Sequence, residues 1–209
     1  SSFLDRWDGG ESIGDPLLKE AMDLAMDGGT VKLGRLLAPF GVSDIVLVGR
    51  SSPLPSKGQI EPIPSSVESA LGRQLDLIRV EASPGIIRFQ NVSAVSVASI
   101  FPDGQITGKT LRSFASDPLP DKGRAASSSG APIPSFEGFV GDDFELYVAV
   151  PFNSSWELRV DGEEVEPEMA LEWGMGFVPN RSGAFELSYK TPSTHKIEIF
   201  LPVILWILV

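Results

Sequence analysis

The chain has 209 residues, 42% of them hydrophobic, which is enough for one ordinary domain or two small ones with a real core. Its formal net charge of −11 excludes a DNA or RNA backbone partner, because such partners need a basic stripe. With no cysteine, and with His195 the single histidine, a disulfide framework, a thiolate nucleophile and a multi-histidine metal cluster are excluded as well.

The N-terminus, Ser1 to Arg6, has no apolar signal-peptide core, so a placement outside the cytoplasm requires another span upstream. Asp15-Pro16 pairs a capping residue with proline at a first helical position, and Leu17, Leu18, Ala21, Met22, Ala25 and Met26 recur at helical spacing. The prediction is a helix over about 16–27, ended by Gly28-Gly29. Thr30 is positioned to cap a second, short helix carrying Val31, Leu33, Leu36 and Leu37, broken by Pro39-Phe40-Gly41. Ile45 to Val48 is a short unbroken apolar run, the pattern of a strand buried on both faces and covered by helices. Residues 49–64 read as an exposed loop, and Ser65-Ser66-Val67-Glu68 has the spacing of a capping box opening a helix to about Leu71. Leu75 to Val80 and Ile86 to Phe89 read as hairpin strands around Ser83-Pro84-Gly85, with one more strand within Ala94 to Phe101.

Residues 103–135 turn to Ser, Ala, Pro, Gly and scattered charge, and are expected to be a linker or long mobile loop. Strand-like alternation follows. Phe144, Leu146 and Val148 share one face, and so do Trp156, Leu158 and Val160, with Asp161-Gly162 as a hairpin turn towards Val165. A further pair over 171–178 and 184–189 is expected to be joined by turn residues at Asn180 to Gly183. The expected fold class is α+β: a small α/β unit over 1–102, a linker over 103–135, an antiparallel β-sandwich-like unit over 136–195, and the start of a C-terminal transmembrane helix over 196–209.

That last segment carries no charge after Glu198. At ~1.5 Å rise per residue, the run from Ile197 to Val209 reaches roughly 20 Å of the ~30 Å that a hydrocarbon crossing needs. It reads as a span cut short, and the chain as a piece of a longer protein tethered to membrane lipid. The alternative is a buried C-terminal strand, against which stand the missing alternation and Pro202.

Candidate chemistry is sparse. Asp142-Asp143 and Glu163-Glu164 are adjacent carboxylates, but neighbours on a strand point to opposite faces and do not converge on one bond as a glycosidase pair must. No serine sits in a nucleophile elbow and no glycine loop has a nucleotide-binding fingerprint, so no catalytic, cofactor-binding or metal-binding residue is assigned. Trp156 and Trp173 are the candidate carbohydrate-binding residues, since an indole face can cover the apolar side of a sugar ring; the alternative for both is a place in the core.

Several of these segments together resemble one family. They are Leu33-Gly34-Arg35-Leu36-Leu37-Ala38-Pro39-Phe40-Gly41-Val42 running into Ile45 to Val48, then Arg73 to Leu77, and the stretch from Pro84-Gly85 to Asn91. Further on come Pro151-Phe152, Trp156, Val160-Asp161-Gly162, and Phe185 to Tyr189 leading into the apolar run. In this order they resemble the extracytoplasmic region of actinobacterial integral-membrane glycosyltransferases and the related YfhO-like bacterial membrane proteins. The resemblance implies a non-catalytic domain on the extracytoplasmic face of the cell membrane, part of a polytopic sugar transferase of cell-envelope polysaccharide or glycolipid, with acceptor glycan as a partner. The catalytic residues of that chemistry would lie elsewhere in the full protein. The alternatives are a membrane-tethered carbohydrate-binding or adhesion module without a linked enzyme, and a free-standing hydrolase.

Overall fold

The structure, a computed structural model, describes residues 13–49, 63–80, 85–117, 123–128 and 135–190. In chain order the elements are α1 (Gly14–Met26), α2 (Leu33–Leu37) with a 3-10 turn over Ala38–Phe40, β1 (Asp44–Val48), α3 (Ser65–Gly72), β2 (Leu77–Val80), β3 (Ile86–Asn91), β4 (Ala98–Pro102) and α4 (Leu111–Ser116). There follow β5 (Arg124–Ala125), β6 (Ser127–Ser128), β7 (Ser135–Val140), β8 (Phe144–Val148), β9 (Trp156–Val160), β10 (Glu163–Val165), β11 (Glu168–Ala170), β12 (Gly174–Phe177) and β13 (Gly183–Tyr189). The fold is α+β and sheet-rich, built on three antiparallel sheets ordered β1-β3-β2, β10-β9-β13-β7-β6 and β11-β12-β8-β4-β5.

The two five-stranded sheets face each other across an apolar core to which Leu146 and Val148 contribute from β8, Leu158 and Val160 from β9, and Met175 and Phe177 from β12. The other face of the β8-containing sheet is also buried. There Tyr147, Ala149 and Phe101 pack with Ala38, Phe114 and Trp173. Beyond that layer, α1, α2, α3 and α4 close on the inner face of the three-stranded sheet through Ala25, Leu33, Leu71, Phe89 and Leu111. The order of layers is therefore sheet, sheet, helices, small sheet.

Several expectations are corrected. The run Ile45 to Val48 forms an edge strand: Ile45 and Leu47 face the helices, while Val46 and Val48 stand 50% and 56% exposed on the outer face. Only one face of the small sheet has helices to cover it, so alternation along the strand turns every second valine outward. Asp15 lies in the first turn of α1 rather than at its cap, and α3 makes no side-chain cap bond, so no capping box forms at Ser65 to Glu68. Thr30 accepts a bond from the Lys32 amide at 3.0 Å, but Lys32 holds the cap position of α2. The hairpin of β2 with β3 forms as expected, and so does the turn between β9 and β10, where Asp161 and Gly162 both adopt positive φ, 49° and 84°.

The strand expected to finish the first unit, β4, pairs instead with β8, with Ile100 opposite Leu146. Residues 103–135 are more than a linker. Within them α4 buries Leu111, Phe114 and Ala115, Ile106 is buried just before it, and 124–128 adds β5 to one five-stranded sheet and β6 to the other. Polar composition hid α4 because its few apolar residues all point inward, and β5 and β6 are two-residue strands of exposed residues. The strands β12 and β13 do not form a hairpin; β12 pairs with β8, whereas β13 lies between β9 and β7, so residues 178–182 cross between sheets. No helix among the described residues is long and apolar enough to cross a membrane. The expected span over 196–209, His195, the loop residues 50–62 and Ser83-Pro84 lie outside the described residues.

Candidate functional site

Leu17, Glu20, Ala21 and Leu24 recur every three or four positions along α1 and so form one stripe on its surface. Facing the stripe are Leu36 of α2, Leu111 and Arg112 of α4, and Glu172 from the turn between β11 and β12. The recess between them, open to solvent, measures about 530 Å³ with its mouth included, and has an aliphatic floor and a charged rim. A second, more open recess of about 780 Å³ adjoins it, lined by Gly29, Thr30, Lys32, Ala115 and Ser116. Leu24, Leu36 and Arg112 line both, so the two recesses make one groove.

Each charged group has a definite position. Arg112 pairs with Glu20 across the groove mouth, and both side chains remain largely in solvent. Glu172 Oε2 accepts the Leu111 amide at 3.2 Å and so serves the N-terminus of α4, whose reciprocal capping pair is Thr110 with Ser113. Leu171 and Glu172 both hold positive φ, 51° and 68°, a conformation that residues with a side chain rarely adopt, in the turn that carries Glu172 to the helix. Lys109 Nζ lies 2.5 Å from Asp117 Oδ2 at the other end of α4. The Lys32 ammonium makes no ion pair with a described residue.

The two predicted site residues lie elsewhere, and apart. Trp156 is 7% exposed and packs against Phe136 and Tyr189, with ring centroids 6.5 and 5.5 Å away, in the core between the five-stranded sheets. Trp173 is 6% exposed; its ring lies 4.6 Å from that of Phe40, and its Nε1 donates to Tyr147 Oη at 3.0 Å. Tyr147 in turn donates to the Pro39 carbonyl at 2.7 Å, and burial pushes its phenol pKa well above the usual range. A stacking platform needs an open ring face, and both indoles spend theirs on packing, so the structure puts both in the core. Asp142, Asp143, Glu163 and Glu164 are exposed, and Glu163 pairs with Arg181 at 2.5 Å.

On the outer sheet Glu157 holds Lys190 and Arg159, each at 2.5 Å, and these cations keep its carboxyl below the usual carboxylate range, Lys190 most strongly. Among the described residues no group of three His, Asp or Glu side chains is arranged to hold a metal ion. The groove was not legible in the sequence, because α4 lay within a stretch read as linker. The signal for it was Thr110 followed three residues later by Ser113, opening a segment whose Leu111, Phe114 and Ala115 recur at helical spacing.

The fold and groove together define an α+β protein with a sandwich on one side and a helix-lined groove on the other. No protein-family model matches the chain, and neither a curated protein nor a solved structure is significantly similar to it.

Proposed function

We propose that this chain is a non-catalytic extracytoplasmic domain of a polytopic membrane glycosyltransferase of cell-envelope polysaccharide or glycolipid assembly, held at the bilayer by its C-terminal apolar run and contacting acceptor glycan. The observation that carries this reading is the position of the segments that bear the resemblance. Leu33 to Val42 forms α2, the 3-10 turn and the left-handed Gly41 that delivers the chain into β1. Phe185 to Tyr189 ends β13, the central strand of the outer sheet, and only residues 190–196 separate it from the apolar run. A rigid sheet joined to an apolar run by so few residues is suited to a domain that stands close over a membrane rather than one on a long tether.

Two measurements test it. A chain of residues 1–209 should float with lipid vesicles in a density gradient, while one ending at 190 should remain in the aqueous fraction; equal partitioning defeats the tether. In the parent membrane protein, removing residues 13–190 should lower sugar transfer to a polymeric acceptor more than to a short synthetic one. Equal transfer in both forms, with glycan still bound by the chain, would favour the surface binding module instead.

A further inference from the structure

The groove has features that select a ligand whatever the function of the whole chain. Its floor is Leu17, Ala21, Leu24 and Leu36, aliphatic throughout, and Leu17 to Leu24 runs about 10 Å along α1. Such a floor suits an extended alkyl chain better than a sugar or nucleobase, which needs an aromatic face or a set of hydrogen-bonding groups. At the Leu24 end, Arg112 belongs to both recesses and Lys32 lines the second. In a chain of net charge −11, two cations at one end of an apolar trough mark where an anionic head would sit.

The head chemistry is indicated by the structure itself: the Arg112 guanidinium already holds a carboxylate, that of Glu20. We propose that the groove binds a single-chain alkyl carboxylate, whose head displaces Glu20 from Arg112 and takes Lys32 as its second cation while its tail lies along the α1 stripe towards Leu17. Glu172 also lines this recess, where its Oε2 is held by the Leu111 amide at the start of α4. Glu20 is then an internal competitor for the site, and removing it has an effect opposite in sign to removing Arg112.

Calorimetric titration of the full chain with dodecanoate below its micelle concentration tests this. Saturable one-to-one binding is expected, weakened about tenfold or more by Arg112→Gln and strengthened severalfold by Glu20→Gln, since a charge-assisted bond to the guanidinium is lost in the first and freed in the second. Both side chains are largely exposed, so the melting temperature of each variant should match the parent. Dodecyl maltoside should bind at least tenfold more weakly, and acetate should not compete at matched concentration. Equal binding of the neutral detergent, full competition by acetate, or Glu20→Gln that leaves affinity unchanged or lower would each overturn the proposal.

Discussion

Between its two five-stranded sheets the chain packs apolar side chains against one another, whereas around the short helix α2 it buries a carboxylate and two carboxamides. Gln74 Oε1 accepts the Leu33 amide at 3.0 Å and Asp76 Oδ2 the Arg35 amide at 2.7 Å, so two opening N–H groups of α2 are satisfied from the connection between α3 and β2. Asn91 Nδ2 donates at 2.8 Å to the carbonyls of Gly34 and Val42. Strands satisfy their own backbone groups along the ladder, so the sandwich needs only shape and apolar area inside. A five-residue helix cannot do this, and its unpaired ends must be met by side chains 41 and 57 residues away in sequence. One region is held by burial and the other by fixed geometry.

Substitutions should separate the two. The largest effect is expected from Trp156→Ala, which deletes a buried indole between Phe136 and Tyr189 and should cost about 3–5 kcal/mol in thermal or denaturant unfolding. A loss under ~0.5 kcal/mol, the range of ordinary surface changes, would show that the ring is not part of the core.

Next is Gly34→Ala. A Cβ there would stand 2.4 Å from Asn91 Oδ1, 2.8 Å from Asp76 Cγ and 2.9 Å from the Asp76 carbonyl oxygen, which is backbone and cannot swing aside. Overpacking of this kind costs about 1–3 kcal/mol. Asn91→Ala removes both bonds donated by Nδ2, to the buried Gly34 carbonyl and to the Val42 carbonyl, again about 1–3 kcal/mol. The sharper test is their combination. Gly34→Ala and Asn91→Ala act on one network and should depart from additivity by roughly 0.5–3 kcal/mol, whereas Trp156→Ala and Asn91→Ala share no partner and should add to within about 0.5 kcal/mol. Additive behaviour in the first pair would dissolve the contrast between the regions.

The smallest effect concerns pH, and here the regions should agree. Glu157 on the outer sheet and Asp44 on the small sheet both have carboxyls held below their ordinary range, Glu157 by Lys190 and then Arg159, Asp44 by Arg88 and then Ser43. A carboxyl depressed in the folded state contributes stability that is fully present above its unfolded pKa of about 4 and is lost as pH falls through the folded value. Glu157→Gln should therefore lower the melting temperature slightly at neutral pH, and the difference from the parent should vanish as the pH falls below about 4, so that the variant's fall in acid is the flatter of the two. A difference that appears only in acid, and is absent near pH 7, would rule out this assignment.

Local chemistry was legible in the sequence wherever it decides structure by itself. The periodicity of α1, the Asp161-Gly162 turn, the β2–β3 hairpin and the inward alternation of Trp156, Leu158 and Val160 all depend on residues close together in the chain, whose spacing is enough to set a helix face, a positive φ or a strand face. What the local pattern could not decide was partnership. The unbroken apolar run at β1 became a half-exposed edge, while β8, read as alternating, is buried on both sides because Tyr147 on its second face meets Trp173 and Pro39. Gly174 carries no local sign that the Tyr147 ring would lie 2.7–3.0 Å from any Cβ placed there. The groove arises in the same way, since Glu20, Arg112 and Glu172 are far apart in sequence and meet only when α1, α4 and the β11–β12 turn pack together. Sequence spacing sets which way a side chain points; only the packing of distant segments sets what it meets, because that contact depends on chain closure and on the shape of whatever arrives from the other side.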